Sequence, residues 1–136
     1  RLLQEGSSVR VRIDGESMHP FIVGGKDEVL LIPYDKKTPI ELWSCIFYKW
    51  KGHYMIHRFV GLQDGQYCMM GDGNLVQIER IEESDILGIL QTIYHADGFT
   101  QDCLGKKWLC QGRYWFKFRK LRRFLLPIYR KFILKD

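Results

Sequence analysis

The sequence predicts a mostly β fold of short, mainly antiparallel strands, completed by a basic amphipathic helix at its C-terminal end. Three observations carry this reading. Runs of β-branched and aromatic residues, several of them alternating with polar ones, recur through residues 9–94. Gly- and Asp-rich tetrads separate them, such as Gln63-Asp64-Gly65-Gln66 and Gly71-Asp72-Gly73-Asn74. Beyond residue 112 the period becomes helical, with Tyr114, Phe118, Leu121, Leu125, Ile128 and Phe132 recurring at steps of four and three.

Val9, Val11 and Ile13 alternate with Arg10 and Arg12, a half-buried strand that runs into the loop Asp14-Gly15-Glu16-Ser17. Val29-Leu30-Leu31-Ile32 is a second strand, closed by Pro33. Residues 46–50 and 54–60 form a hairpin around the turn Lys51-Gly52, with aromatic and β-branched residues on both arms. Tyr67-Cys68-Met69-Met70 is a short strand, and residues 86–94 are the last, running through Gly88. The organisation expected is a β domain over 1–94, a connector over 95–111 and a helical tail over 112–136. Pro127 lacks a backbone donor and is expected to divide that tail into two segments. The apolar stripe of the tail has two readings: it packs on the β body with its charges solvated, or it lies on a membrane surface.

A chain of 136 residues is about one domain and long enough to bury a core of its own. With 46% hydrophobic and 27% charged residues it is neither disordered nor collagenous. No apolar run exceeds six residues, so this stretch contains no spanning helix, and the first ten residues lack the apolar core of a signal peptide. The chain opens on Arg1, which leaves an anchor ahead of it an open matter. Charge is unevenly placed. Residues 1–111 carry 12 basic and 15 acidic groups, whereas residues 112–136 carry nine basic groups and only Asp136. That asymmetry points the tail at an anionic surface, a membrane ahead of nucleic acid, through Lys117, Arg119, Lys120, Arg122, Arg123, Arg130 and Lys131. The expected location is therefore peripheral to a membrane, or cytoplasmic. Cys45, Cys68, Cys103 and Cys110 form no Cys-x-x-C pair and share no ligand spacing with the histidines, so neither a metal nor a cofactor is expected.

Three segments carry side chains suited to chemistry: Gly15-Glu16-Ser17-Met18-His19-Pro20, His57-Arg58-Phe59-Val60-Gly61 and Gly71-Asp72-Gly73-Asn74. They offer a loop serine, a strand histidine and a loop carboxylate, the three parts of an activated hydroxyl nucleophile. Each also has an ordinary role, Ser17 and Asp72 as turn formers and His57 as a strand side chain.

In their order these segments resemble the boxes of the signal peptidase I superfamily, which includes the self-cleaving repressors of the LexA type. Gly15-x-Ser17-Met18-x-Pro20 is similar to the nucleophile box, and the segment through Asp27 and Val29 to its downstream continuation. His57-Arg58-Phe59-Val60-Gly61 is similar to the general-base box of the branch that uses His rather than Lys, which holds the archaeal, endoplasmic-reticulum and sporulation-type enzymes. Gly71-Asp72-x-Asn74 resembles the box that supplies an acidic residue, with Gly88 matching the strand after it. The resemblance spans residues 9–94. It implies a serine endopeptidase that cleaves a leader or precursor peptide, with Ser17 as nucleophile, His57 as base and Asp72 as the residue that orients the base. Gly15, Met18, Arg58 and Asn74 would support the site, and Glu79 is a stand-in for a second acidic position. The peptide would lie extended along the strands at 9–14 and 53–60. The sequence departs from the pattern at Met70, where the family often has Lys, at Trp43-Ser44-Cys45-Ile46, and at Gly15, where some relatives place Ser. The competing class is a non-catalytic peptide-binding or membrane-docking module on the same scaffold.

Overall fold

The computed structural model describes residues 2–37 and 39–133. Its strands are β1 (Val9–Arg12), β2 (Glu28–Pro33), β3 (Cys45–Trp50), β4 (His53–Gln63), β5 (Gln66–Met70), β6 (Glu79–Ile81), β7 (Ile86–Tyr94) and β8 (Thr100–Asp102). They form one antiparallel sheet in the order β1-β2-β7-β3-β4-β5-β6, with β8 beside β7. The sheet curls into a half-barrel. Register shifts at Leu30/Leu31, Phe47/Tyr48 and Phe59/Gly61 supply the curl, because an unpaired residue bends its strand and increases the local twist.

Side chains alternate across the sheet, so its two faces bury different clusters. Val29, Leu31, Cys45, Leu90 and Ile93 pack with Met18, Ile22 and Trp108 on one face. Ile46, Tyr48, Phe59, Met69, Ile81 and Ile86 pack on the other. The short strands β6 and β8 carry no alternation long enough to read in the sequence, and register with β5 and β7 defines them.

The helical part begins earlier than the sequence suggests. Helix α1 spans Lys106–Lys117, so β8 and the first turns of α1 occupy the stretch expected to be a connector. A 3-10 turn at Arg119–Leu121 leads into α2 (Arg122–Ile128), followed by a π-helical turn at Tyr129–Ile133. The division into two segments is real but falls at Phe118, whose φ of −100° and ψ of 28° end α1. Pro127 sits inside α2, and the winding loosens only after it.

Of the two readings of the tail's apolar stripe, packing on the β body does not hold. Tyr114, Phe118, Leu121, Leu125, Ile128 and Phe132 are exposed, from 44% at Leu125 to 62% at Phe132. The stripe does not pack on the β body. The buried positions are instead Trp108, Gly112, Arg122 and Leu126. Gly112 explains the choice of face, since a Cβ there would collide with the guanidinium of Arg58 and lie 2.8 Å from its Cδ. The bare backbone lets α1 lie directly on that side chain. Gly112→Ala should therefore lower stability by about 1–3 kcal/mol in urea titration, although alanine is the better helix former. A stabilised variant would mean that α1 does not bear on Arg58.

Candidate active site

The loop that carries Ser17 is set by a tight entry and a buried anchor. Gly15 has a φ of +86°, and Gly24 presses on its backbone so closely that no side chain fits between them. Met18, 3% exposed, anchors the turn in the core, and its carbonyl accepts the amides of Phe21 and Ile22 at 3.0 Å each. Ser17 itself stays half-buried at the surface of the turn.

Residues 71–74 grip this turn from below. The Gly73 amide donates to the Ser17 carbonyl at 2.7 Å, and the Asp72 amide donates to Met18 Sδ at 3.4 Å. A Cβ at Gly71 would strike the Ser17 carbonyl and come to 3.1 Å from His57 Cδ2. Gly71 is thus the point at which the three sequence segments meet, and its lack of a side chain permits the meeting.

His57 is 1% exposed on β4, and its Nδ1 lies 2.7 Å from Glu79 Oε1. The Tyr48 hydroxyl completes the triangle, 2.9 Å from the same carboxylate oxygen and 2.8 Å from Nδ1. Burial, and then the Glu79 charge, pushes the Tyr48 phenol well above its ordinary range, so it remains a donor. Its single proton goes to Glu79. Nδ1 is thus taken up by the carboxylate, and Nε2 is the ring nitrogen outside that pair. Among the described residues no hydrogen bond joins the Ser17 hydroxyl to the ring, so proton transfer between them needs a side-chain movement or an intervening water.

Asp72 has a different partner from the one the family resemblance implies. Its carboxylate accepts Arg58 Nε at 2.9 Å and Nη2 at 2.6 Å, a bidentate pair with both side chains 1% exposed. The third arm, Arg58 Nη1, donates to the Trp43 carbonyl at 2.7 Å. Burial alone would pull the guanidinium down, but the Asp72 charge outweighs it and holds Arg58 above its already high range. The reason for the exchange is strand geometry. His57 and Arg58 are consecutive on β4 and project to opposite faces, so the carboxylate that meets one cannot meet the other. The carboxylate that meets the His57 ring is Glu79 on β6, the residue the sequence offers only as a stand-in.

The remaining predicted residues divide. Asn74 donates its amide to the Gly71 carbonyl at 3.0 Å and closes the loop. Lys117, Lys120, Arg123 and Lys131 are exposed, as a surface role requires. Arg122 is not: it is 1% exposed, and its Nη1 donates to the carbonyls of Gly71 at 3.1 Å and Asn74 at 2.9 Å. Burial lowers its pKa to about 10, still protonated at neutral pH, and these carbonyls offset the desolvation. Arg119 folds back on the Phe116 carbonyl, and Arg130 Nε donates to His19 Nδ1 at 3.1 Å. Trp115 Nε1 donates to the Asp72 carbonyl at 2.7 Å, a contact sequence reasoning missed along with Tyr48. For Tyr48 a signal existed. Ile46 pairs with His57 across the hairpin, and Tyr48 lies two residues along on the same face.

A cleft of about 680 Å³ opens beside Ser17 and His57. One wall is β1, an edge strand paired only with β2; the other is the half of β4 that precedes its pairing with β5. Val9, Val11, Leu31, Phe47 and Ile56 make it apolar. Two unpaired strand edges facing one apolar groove fit an extended peptide. Among the described residues no group of three or more His, Cys, Asp and Glu could hold a metal. No family model matches the chain, and no curated protein matches it either.

The assignment of Asp72 is open to a stability test. Asp72→Asn strands a buried guanidinium and should cost about 3–5 kcal/mol in urea titration. A loss below about 1 kcal/mol would show that Arg58 does not depend on this carboxylate.

Proposed function

We propose that the protein is a serine endopeptidase of the signal-peptidase type, with Ser17 as nucleophile, His57 as general base and Glu79 as the residue that orients His57. The observation that carries this reading is the pairing of His57 Nδ1 with a buried carboxylate while the ring and Ser17 line one groove. A serine hydroxyl is a weak nucleophile until a base takes its proton. On this reading Ser17 Oγ attacks the carbonyl carbon of the bound peptide as His57 Nε2 accepts the hydroxyl proton. The imidazolium returns that proton to the leaving amine as the C–N bond breaks. Water, activated by the same nitrogen, then releases the acyl group and restores Ser17. Glu79 stabilises the imidazolium and keeps Nε2 aimed at the groove. Asp72 acts one step back, holding the 71–74 loop through Arg58.

The second reading is a module that holds an extended peptide without cutting it. It is favoured by the lack of a direct Ser17–His57 hydrogen bond among the described residues. A peptide library incubated with the protein and analysed for new termini separates the two. The peptidase reading predicts cleavage after small residues, reduced at least about 10³-fold in Ser17→Ala. That variant should keep its stability within about 0.5 kcal/mol, since the side chain is small and half-buried. Peptides that bind equally to wild type and Ser17→Ala, with no new termini from either, would support the holding module instead.

A further inference from the structure

The exposed apolar row of the helical tail is a surface in its own right. The helices are already fastened by another face, through Trp108, Gly112, Arg122 and Leu126, so the row is not a core face left unpacked. Half or more of Tyr114, Phe118, Phe124, Ile128, Phe132 and Ile133 remains in water. A shallow apolar groove of about 650 Å³ continues this row onto the body through Phe21. An exposed patch of this extent on a folded protein marks an interaction site.

Its charges say what kind. Arg113, Lys117, Lys120 and Lys131 each stand one residue before a member of the row, Tyr114, Phe118, Leu121 and Phe132, and all four are exposed. Cations therefore border the apolar stripe along one side for most of its length. No Asp or Glu occurs from residue 103 to 135, a stretch with eleven Lys and Arg. We infer that this face is a docking surface for an anionic lipid bilayer, with the aromatic and aliphatic row inserted at the level of the acyl-chain boundary and the flanking cations against the headgroups. A second copy of the chain is a poor occupant, because a twofold contact through this face would set the same cations against each other. Nucleic acid would engage the cations and leave the row in water. No helix among the described residues is long and apolar enough to cross a membrane, so the contact is interfacial on this face.

Docking of this kind also has a geometric consequence. Trp115, which borders the groove, and the buried Arg122 hold Asp72, Gly71 and Asn74 from the same helices. The surface that would meet lipid and the loop beside Ser17 are therefore joined through the same two side chains.

Flotation of the full chain tests the surface, using phosphatidylcholine vesicles with and without phosphatidylglycerol. Wild type is expected to float with the phosphatidylglycerol vesicles at least about tenfold more than with phosphatidylcholine alone, and part of that binding should persist at high salt. The double substitution Phe118→Glu with Leu125→Glu should reduce it at least about tenfold, with the melting temperature unchanged because both side chains are exposed. Lys117→Glu with Lys120→Glu gives an independent check through charge alone. Ser17→Ala should float like wild type, so this result stands apart from the peptidase reading. Absence of flotation, or flotation of both double variants equal to that of wild type, would overturn the inference. So would a stable dimer in solution that Phe118→Glu with Leu125→Glu converts to a monomer, which would assign the face to a second copy.

Discussion

The buried ion pair between Arg58 and Asp72 is the constraint on which the rest of the molecule depends. A guanidinium and a carboxylate, both 1% exposed, are tolerable only when each is fully engaged. Asp72 takes two arms of Arg58, and the Trp43 carbonyl takes the third. The guanidinium also lies 4.6 Å from the Trp108 ring centroid and 5.6 Å from that of Phe21, two rings that meet each other edge-on beside it. Sheet, the loop after Ser17 and helix α1 therefore converge on one side chain. Gly112 is bare because that side chain cannot yield.

From this pair the organisation of the site follows along a single strand. β4 sends Arg58 to the face that holds the helices and His57 to the face that holds Tyr48 and Glu79. On the first face the two charges close on one another, and the groove residues Val11, Leu31, Phe47 and Ile56 pack on that side as well. On the other, His57 is fixed at Nδ1 by Glu79 and Tyr48. Loop 71–74 connects the two, since Asp72 belongs to the first face while Gly71 and Gly73 touch His57 and Ser17. Trp115 and Arg122 then lock that loop from outside, so the helical tail is part of the site's frame as well as an exposed surface.

The elements with strong periodicity were legible in the sequence. The hairpin of β3 and β4 around Lys51-Gly52 and the long strand β7 needed only alternation and turn chemistry. β6 and β8, three residues each, were not legible, because register with a neighbour defines them. Ser17 and His57 could be singled out from their segments, and they line the same cleft. The partner of His57 could not, because both carboxylates are close in sequence and only the side of β4 each one meets distinguishes Glu79 from Asp72. The docking face of the tail was not legible, for a physical reason. An apolar stripe usually marks the buried face, but here docking is made by a glycine, two tryptophans and a solvated-looking arginine, Arg122, whose burial rests on backbone carbonyls.

The central claim is that Glu79 holds the Nδ1 proton of His57 and leaves Nε2 free toward Ser17. Nitrogen-15 NMR of the histidine side chains in the intact protein at neutral pH reads this directly. The account predicts that His57 carries its proton on Nδ1, with a far-downfield proton resonance from the bond to a buried carboxylate, and that Nε2 carries none. A proton resting on Nε2, with a bare Nδ1, would contradict it.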